Sequence, residues 1–531
     1  MTAHSPIVRI ASASVSVPRF LVAIALGLLV AGCASLPKNL EREPSTALAN
    51  TDDTRLGKAV AGRVAANPGQ SGIYALSNAR EAFAARILLA RAAERSLDLQ
   101  YFEWHNDTTG QLLFDAVWQA AERGVRVRML LDDSTTRGLD ATMAALSAHP
   151  NIHVRLFNPF VNRGFRLGDF ITDFERVNRR MHNKSFTADS QVTIVGGRNV
   201  GDVYYGANAD VGFRDLDALA VGPVVRDVSR EFDLFWNSES AYPATNVIPA
   251  VARDEATRLR EKWQNVWQQP DALRYASAVR DTPLVRGLLE GKLELEWTTA
   301  QVVHDDPSKV LQPLERRELH MLPRLEQALG RPMHELDLVS PYFVPGEEGT
   351  AAFRELGKRG VKVRVLTNSL ASTDVRPTHA GYSNYREELL RAGVRLYELK
   401  PTRDGQRAKE DAERQGIGDS AAAGLHAKTF SVDRSRIFVG SFNLDPRSNR
   451  LNTEMGIVIS SPTLASRLSA EFDTGIPRDA YEVRLAADGR SLEWIEREGD
   501  REIRHTTEPE TGVMKGLWIR FLSILPIEWL L

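Results

Sequence analysis

Hydrophobic and polar positions follow one pattern twice along the chain. Each time a short apolar run, Leu97–Phe102 or Leu336–Phe343, precedes a helical stretch, which in the first copy includes Leu112–Glu122. The helical stretch ends at a glycine, Gly124 or Gly360, as helix C-termini commonly do. A Val-rich strand pattern follows at once. Strand, helix and strand at this length predict βαβ units of a parallel or mixed sheet.

The loose repeat predicts an α/β protein with two pseudo-repeated lobes, each a mixed sheet flanked by helices. A chain of 531 residues is long enough for two domains plus extensions. We place the two lobes at residues 75–240 and 320–475. The remaining predicted segments are a signal segment at 1–33, a tether at 34–74, an inter-lobe segment with a helix over Asp254–Gln268 at 241–319, and a C-terminal extension at 476–531.

Three shorter stretches have less regular patterns. We interpret Asp305–Lys309 as a helix-starting turn, because Pro307 suits the first position of a helix. Residues 401–423 are polar and favour either a solvated loop or a lid over a site. The tail, Lys515–Leu531, is apolar but too short and interrupted to span a bilayer, so it either packs on the body or lies in the membrane interface.

Composition narrows the classes of function. Hydrophobic residues make up 43% of the chain and charged residues 26%, which is a normal balance for a globular protein. The 67 basic and 69 acidic residues give a net charge of -2. A nucleic-acid partner is therefore not expected, because such partners usually require a clear basic excess. The sequence also lacks a Cys/His cluster at zinc spacing.

The one cysteine, Cys33, follows two arginines and the apolar run Phe20–Val30. A basic segment, a short apolar segment and small residues describe a secretory signal. Val30 to Cys33 resembles a bacterial lipobox, in which the cysteine is lipidated and starts the mature chain. The alternatives are an uncleaved membrane anchor or a buried cysteine that stands there by chance. By resemblance to Gram-negative lipoproteins, Ala34 favours the outer membrane over the inner one, with the body facing the periplasm.

Two matched sets of polar residues carry the candidate chemistry. Each set has a His-x-Lys-x4-Asp motif, an asparagine seventeen residues after the histidine, and a later carboxylate eight residues before a proline. The first set is His182, Lys184, Asp189, Asn199 and Asp215, and the second is His426, Lys428, Asp433, Asn443 and Glu454. Asp217 is a less favoured substitute for Asp215.

These residue types suit phosphoryl transfer. His and Lys two positions apart on a strand point to the same face, so two such strands would surround one cavity with imidazoles and ammonium groups. With the amides of Asn199 and Asn443, they can stabilise a pentacoordinate phosphoryl transition state without a metal or other cofactor. One imidazole can attack phosphorus to form a phosphohistidine while the other protonates the leaving group. Asp215 and Glu454 are candidates for fixing the imidazole tautomers.

The paired motifs resemble the phospholipase D superfamily, and the resemblance covers about residues 75–475. It implies that both motifs meet at a pseudo-twofold axis in one active site, and that Asp189 and Asp433 are more structural than chemical. Ser340–Gly346, Asp305–Lys309 and the closing Leu525–Leu531 are similar to the cardiolipin synthase branch. In that branch a phosphatidyl group passes from one phospholipid to the headgroup alcohol of another, typically phosphatidylglycerol.

We therefore expect a phosphatidyltransferase that acts on membrane phospholipids, with phosphatidylglycerol and phosphatidylethanolamine as candidate substrates. A hydrolytic phospholipase D that releases phosphatidic acid would use the same intermediate. A periplasmic nuclease is less favoured, since family nucleases are often short chains with one motif each. A non-catalytic lipid-binding lipoprotein is least favoured, because both sets of catalytic residue types are intact. The two half-sites are nearly equivalent in sequence, so either histidine can be the nucleophile.

Overall fold

The computed structural model describes residues 36–37, 39, 42–207, 214–290, 292–401, 424–512, 519, 522–523 and 528–531. The predicted signal segment with Cys33, most of the 401–423 segment and most of the apolar tail lie outside these residues. Within the described ranges, no helix is both long and apolar enough to cross a bilayer.

Nineteen strands in the described ranges form two sheets, one for each lobe. The strands of the first are β1 Ser71–Leu76, β2 Ser96–Tyr101, β3 Arg126–Asp132, β4 Ile152–Phe157, β5 Ser185–Ala188, β6 Val192–Gly196, β7 Asp217–Val221, β8 Ala241–Pro243 and β9 Glu296–Thr298. The strands of the second are β10 Ala300–His304, β11 Glu335–Val339, β12 Lys362–Asn368, β13 Arg395–Leu399, β14 Lys428–Val432, β15 Arg436–Gly440, β16 Met455–Ile459, β17 Ala480–Leu485, β18 Leu492–Glu498 and β19 Arg501–His505. The strand orders are β8-β4-β3-β2-β5-β6-β7-β1-β9 and β10-β16-β15-β14-β11-β12-β13-β17-β18-β19.

Helices flank both sheets. Those before β10 are Arg55–Ala66, Ala79–Ala92, Thr108–Glu122, Asp140–Ser147, Arg166–Thr172, Phe174–Val177, Asp202–Tyr205, Pro223–Trp236, Ala244–Val247, Arg253–Val266, Pro270–Arg280 and Pro283–Leu289. Those after it are Met321–Leu329, Gly346–Lys358, Arg376–Ser383, Arg386–Arg391, Pro462–Asp473 and Ile476–Asp479. The predicted helix in the inter-lobe segment is present, and it packs Trp263 into the core of the first lobe.

The internal repeat becomes one strand arrangement used twice. β2 pairs with β3 in parallel and with β5 antiparallel, and β11 has the same relations to β12 and β14. The crossover helices end just before Gly124 and Gly360. These glycines have φ values of 91° and 74°, a backbone conformation that glycine adopts easily because it has no Cβ. The predicted α/β class, with two mixed sheets flanked by helices, is confirmed.

A buried ion pair links the same two strands in both lobes. Arg128 on β3 donates to Asp98 on β2 over 2.7 Å, and Arg364 on β12 donates to Asp337 on β11 over 2.7 Å. All four side chains are about 1% exposed. The pairs explain why charged residues interrupt otherwise apolar central strands, since each charge is matched by its register partner.

The two lobes pack directly on each other. Ile73 and Ala218 of the first lobe share an apolar cluster with Ile437 and Ile457 of the second. The chain passes between the sheets at Thr299, where β9 ends and β10 begins. This packing sets the two central strands, and the motifs beside them, in a fixed relation.

The described part of the predicted tether is bound to the first lobe. The carbonyl oxygens of Glu43 and Ser45 accept hydrogen bonds from Arg155 and Arg128, at 2.6 and 2.9 Å. The backbone N–H of Ala47 donates to Asp233 over 2.9 Å. These contacts hold residues 43–47 against strands β3 and β4, in contrast to the free linker that the polar composition predicts.

We expect Asp337→Ala to lower the free energy of unfolding by about 3 kcal/mol, because it removes a partner from a buried guanidinium. Denaturant unfolding measures this change. Glu502→Ala is the matched control, since Glu502 pairs with Arg497 in the same sheet but is 45% exposed, and its loss should cost less than about 1 kcal/mol. Equal effects of the two substitutions would contradict the stabilising role of the buried pair.

Candidate active site

The two motif histidines lie at the interface between the lobes. The backbone N–H of His182 donates to the carbonyl of Thr453 over 2.8 Å, and that of His426 donates to Arg214 over 2.9 Å. Each histidine precedes its motif strand, β5 or β14, in contrast to the strand positions that the sequence predicts. The backbone there pairs with the other lobe, which fixes where each imidazole lies.

The carboxylates of the two sets pair with the histidines crosswise. His182 Nδ1 lies 2.8 Å from Glu454 Oε2, and His426 Nδ1 lies 2.6 Å from Asp215 Oδ2. All four side chains are buried. Each imidazole therefore belongs to one lobe and its carboxylate partner to the other, so neither lobe contains a complete half-site. With Nδ1 bound by a carboxylate, Nε2 is the nitrogen that faces a substrate.

The motif lysines complete the ring of basic groups. Each ammonium donates to the carbonyl of its own motif histidine over 2.5 Å, Lys184 to His182 and Lys428 to His426. Burial lowers the pKa of Lys184 to about 7 and that of Lys428 to about 8. The site thus concentrates positive charge where water cannot fully solvate it.

The buried setting also shifts the histidines and their carboxylates. Burial, then the two lysines and the other imidazole, lowers the pKa of His182 well below 6.5. Burial and Lys428 lower the pKa of His426, although Asp215 opposes them. Burial raises the pKa of Glu454 to about 7. Burial acts in the same sense on Asp215, but His426 and Lys428 outweigh it and lower that pKa well below its usual range.

The motif aspartates lie away from the histidines, at the far end of the motif strands. Asp189 accepts hydrogen bonds from three consecutive backbone N–H groups, those of residues 94–96 just before and at the start of β2. Asp433 does the same for residues 333–335 before β11. Both aspartates have φ near 50°, in the turn that follows the motif strand. Their contacts are to the scaffold.

The asparagines at equal offsets have different surroundings. Asn199 donates through Nδ2 to Tyr204 over 2.9 Å, and its Oδ1 accepts from the backbone of Glu103 over 3.2 Å. Asn443 is 4% exposed, and its Oδ1 has no hydrogen-bond partner among the described residues. Asn199 is therefore fixed by the protein, whereas Oδ1 of Asn443 is a buried acceptor without a partner among the described residues.

Comparison with known proteins identifies a family that matches both lobes. The family described as "Cardiolipin synthase, PLD-like domain" matches residues 87–236 and 325–475, one match in each lobe. These two matches cover more than half of the chain.

The chain belongs to this phospholipase D-like family.

Individual relatives agree with this membership. Cardiolipin synthase C of Escherichia coli is 46% identical over 482 residues, covering 90% of this chain and all of the relative. The major cardiolipin synthase of Bacillus subtilis is 26% identical, covering 75% of this chain and 67% of the relative. The crystal structure of a phosphatidylserine synthase from Haemophilus influenzae superposes with a TM-score of 0.55 at 15% identity, covering 90% of this chain and all of that one, which shows the shared fold.

Three side chains in contact with the site were not predicted from the sequence. The ring of Phe102 meets the His182 ring at 5.0 Å and the ammonium of Lys184 at 5.3 Å. Tyr204 meets the His426 ring at 5.2 Å and donates to Glu103 over 2.7 Å. Phe102 and Glu103 directly follow β2, so their position at the end of a central strand was the available signal.

Two further sequence candidates have resolved positions. Asp217, the substitute for Asp215, is fully buried with Arg86 at 2.9 Å and so is occupied away from the histidines. Asp305–Lys309 does begin a short helix, with Asp306 as its cap, as predicted. Its Asp305 also accepts from the backbone N–H of Glu454 over 2.8 Å and pairs with Lys309 at 2.9 Å. The predicted turn therefore also supports the carboxylate beside His182.

We expect Lys184→Met to make the protein more stable at pH 7. Between pH 7 and the ordinary lysine pKa of 10.5, the folded chain binds fewer protons at this site than the unfolded chain, so wild-type stability rises with pH in that window. The advantage of the variant should therefore shrink from pH 7 to pH 9. Denaturant midpoints at the two pH values measure it.

Lys358→Met serves as the control, because Lys358 is 64% exposed and should show no comparable pH dependence. A Lys184→Met variant that is less stable than wild type at pH 7 would show that the buried ammonium does not destabilise the fold.

Proposed function

We propose that this protein is a phosphatidyltransferase that makes cardiolipin from membrane phospholipids. One observation carries the proposal: two histidine–carboxylate pairs, each completed across the lobe interface, lie with two buried lysines in one site. The 46% identity to a cardiolipin synthase over 90% of the chain supports the same reaction. Phosphatidylglycerol is the proposed acceptor, and phosphatidylglycerol or phosphatidylethanolamine the donor.

The first step forms a phosphohistidine. Nε2 of one imidazole attacks the phosphorus of the donor lipid, and the bond from phosphorus to the headgroup oxygen breaks. The second imidazole gives its proton to the departing alkoxide, which leaves as an alcohol, glycerol in the case of phosphatidylglycerol. The diacylglycerol phosphate is then attached to the enzyme.

The second step reverses these roles. The now neutral second imidazole removes the proton from the hydroxyl of the acceptor phosphatidylglycerol, and that oxygen attacks phosphorus. The bond between phosphorus and Nε2 breaks, which releases cardiolipin and restores both histidines. Water in place of the acceptor would give phosphatidic acid, so exclusion of water from the site decides between transfer and hydrolysis.

The remaining residues act by charge and position. Lys184, Lys428 and the Nδ2 group of Asn443 donate to the oxygens of the pentacoordinate phosphorus and stabilise them. Asp215 and Glu454 hold the imidazole tautomers so that Nε2 reacts. Asn199 acts through the network with Tyr204 and Glu103. Asp189 and Asp433 hold the starts of the central strands rather than contacting phosphate.

The site of action is proposed from the N-terminal sequence. Lipidation of Cys33 would keep the enzyme on the membrane that holds its substrates, and the signal segment would place the body in the periplasm. Ala34 favours the outer membrane over the inner one.

Lipid analysis of cells that lack cardiolipin tests the reaction. We expect expression of the wild-type chain to restore cardiolipin and expression of His182→Ala or His426→Ala to leave none, because both imidazoles are needed in each turnover. His153→Ala is the matched control, since His153 is an exposed histidine of β4 and its loss should leave product formation unchanged.

Two results would contradict the proposal. Phosphatidic acid accumulating without cardiolipin would make the enzyme a hydrolase with the same first step. Full cardiolipin formation by either histidine variant would show that the two half-sites do not act as one.

A further inference from the structure

The protein exposes an apolar patch, called the docking patch below. It is formed by Phe165, Leu167, Phe170, Ile171, Phe174 and Trp529. Leu167 and Ile171 are 63% and 64% exposed, and Trp529 is 49% exposed. Eleven large hydrophobic side chains are exposed in the described part of the chain, and six of them belong to this docking patch. A solvent-exposed apolar cluster of this kind is typical of a surface that binds a partner or a membrane.

The segment that carries the docking patch is folded by polar contacts on its inner side. Asp169 is 1% exposed and accepts from the backbone N–H groups of Val161 and Asn162, at 2.6 and 3.1 Å. Arg163 pairs with Asp133 and Asp140. The apolar side chains therefore point outward from an ordered structure rather than from a loosely packed loop.

The docking patch adjoins the segment that leads to His182 and includes a residue of the C-terminal extension. Its helical segment ends at Val177, five residues before His182. Trp529 meets the ring of Phe174 at 6.2 Å. The backbone of Arg447, in the loop that leads to Glu454, donates to the carbonyl of Leu531 over 2.6 Å. The docking patch is therefore joined through short chain segments to residues of both halves of the site.

The N-terminal segment reaches the same edge of the first lobe. Asn39 donates to the carbonyl oxygens of Glu239 and Ala241, both at 3.0 Å. The intervening Ser240 carbonyl accepts from the backbone of Asn158, whose side chain binds the carbonyl of Arg176 over 2.8 Å. Cys33 lies only six residues before Asn39, a span of at most about 22 Å.

We propose that the docking patch inserts into the interface of the phospholipid bilayer that supplies the substrates, and so holds the active-site mouth against the membrane. This inference rests on the proposed function and on lipidation of Cys33. A lipid on Cys33 would keep this edge of the first lobe within a short distance of the bilayer, which favours a membrane over a protein as the partner. A single lipid anchor binds reversibly, and the patch supplies a second membrane contact. Trp529 suits the headgroup level.

A fluorescent probe at a single cysteine tests the insertion directly. The probe is attached to Ile171→Cys in the lipidated full chain, where the thioether on Cys33 leaves residue 171 as the labelled thiol. The protein is reconstituted with vesicles of phosphatidylethanolamine and phosphatidylglycerol that carry a nitroxide on the acyl chain. Leu273→Cys is the matched control, because Leu273 is 56% exposed on the helix Pro270–Arg280, outside the patch. We expect a blue shift and strong quenching at residue 171 and neither at residue 273.

Equal spectra and equal quenching at the two positions would overturn the proposal, whether both probes are quenched or neither is. The measurement does not depend on turnover, so it is independent of the reaction proposed above. A second readout uses catalysis. In the double variant Leu167→Asp and Ile171→Asp, activity on vesicles should fall about tenfold or more, while activity on a soluble short-chain phosphatidylglycerol is kept. The control Leu273→Asp should keep both activities. Equal loss on the two substrates would also overturn the proposal.

Discussion

The crosswise hydrogen bonds between histidine and carboxylate are the interaction on which the rest of the site depends. Two imidazoles and two lysine amines share one buried site. Loss of hydration disfavours the protonated form of each group, so burial lowers the pKa of all four. Asp215 and Glu454 are the carboxylates that contact the imidazoles, and each comes from the opposite lobe. The hydrogen bonds that orient the imidazoles therefore also hold the lobes in one relative position.

The two halves of the site are alike in sequence but not in electrostatics. Asp215 is held ionised beside His426, whereas burial raises the pKa of Glu454 to about 7. Glu454 is in turn fixed through its backbone by Asp305, which is neutralised by Lys309. The two histidines thus have carboxylate partners of different acidity.

The sequence predicted the parts of this arrangement that repeat. Alternating strands and helices, glycines after the crossover helices and two matched motifs were enough for two α/β lobes with one shared site. The crosswise pairing could not be predicted, because Asp215 and Glu454 each lie closer in sequence to the histidine that they do not bind. The difference between Asn199 and Asn443 was also hidden, since it depends on Glu103 and Tyr204, which occur only in the first copy.

Local sequence signals predict local structure but not the contacts that this structure makes across the fold. Asp305–Lys309 is a helix-starting turn, but its buried ion pair acts on a residue some 150 positions away. The polar stretch after Cys33 is predicted as a tether, yet it contains the helix Arg55–Ala66 and the start of β1, and Arg128 and Arg155 bind its backbone to the first lobe. Contacts made by long side chains across the fold leave no periodic trace in the sequence.

The crosswise pairing is tested most directly by nitrogen-15 magnetic resonance of labelled histidines. In Asp215→Asn, the account predicts a changed Nδ1 signal and a lowered pKa for His426, because the charge that raises this pKa is removed, with little change at His182. Glu454→Gln should change the Nδ1 signal of His182 and leave the Nδ1 signal of His426 nearly unchanged. A response in the histidine of the same lobe as the substitution, or equal responses in both, would contradict the account.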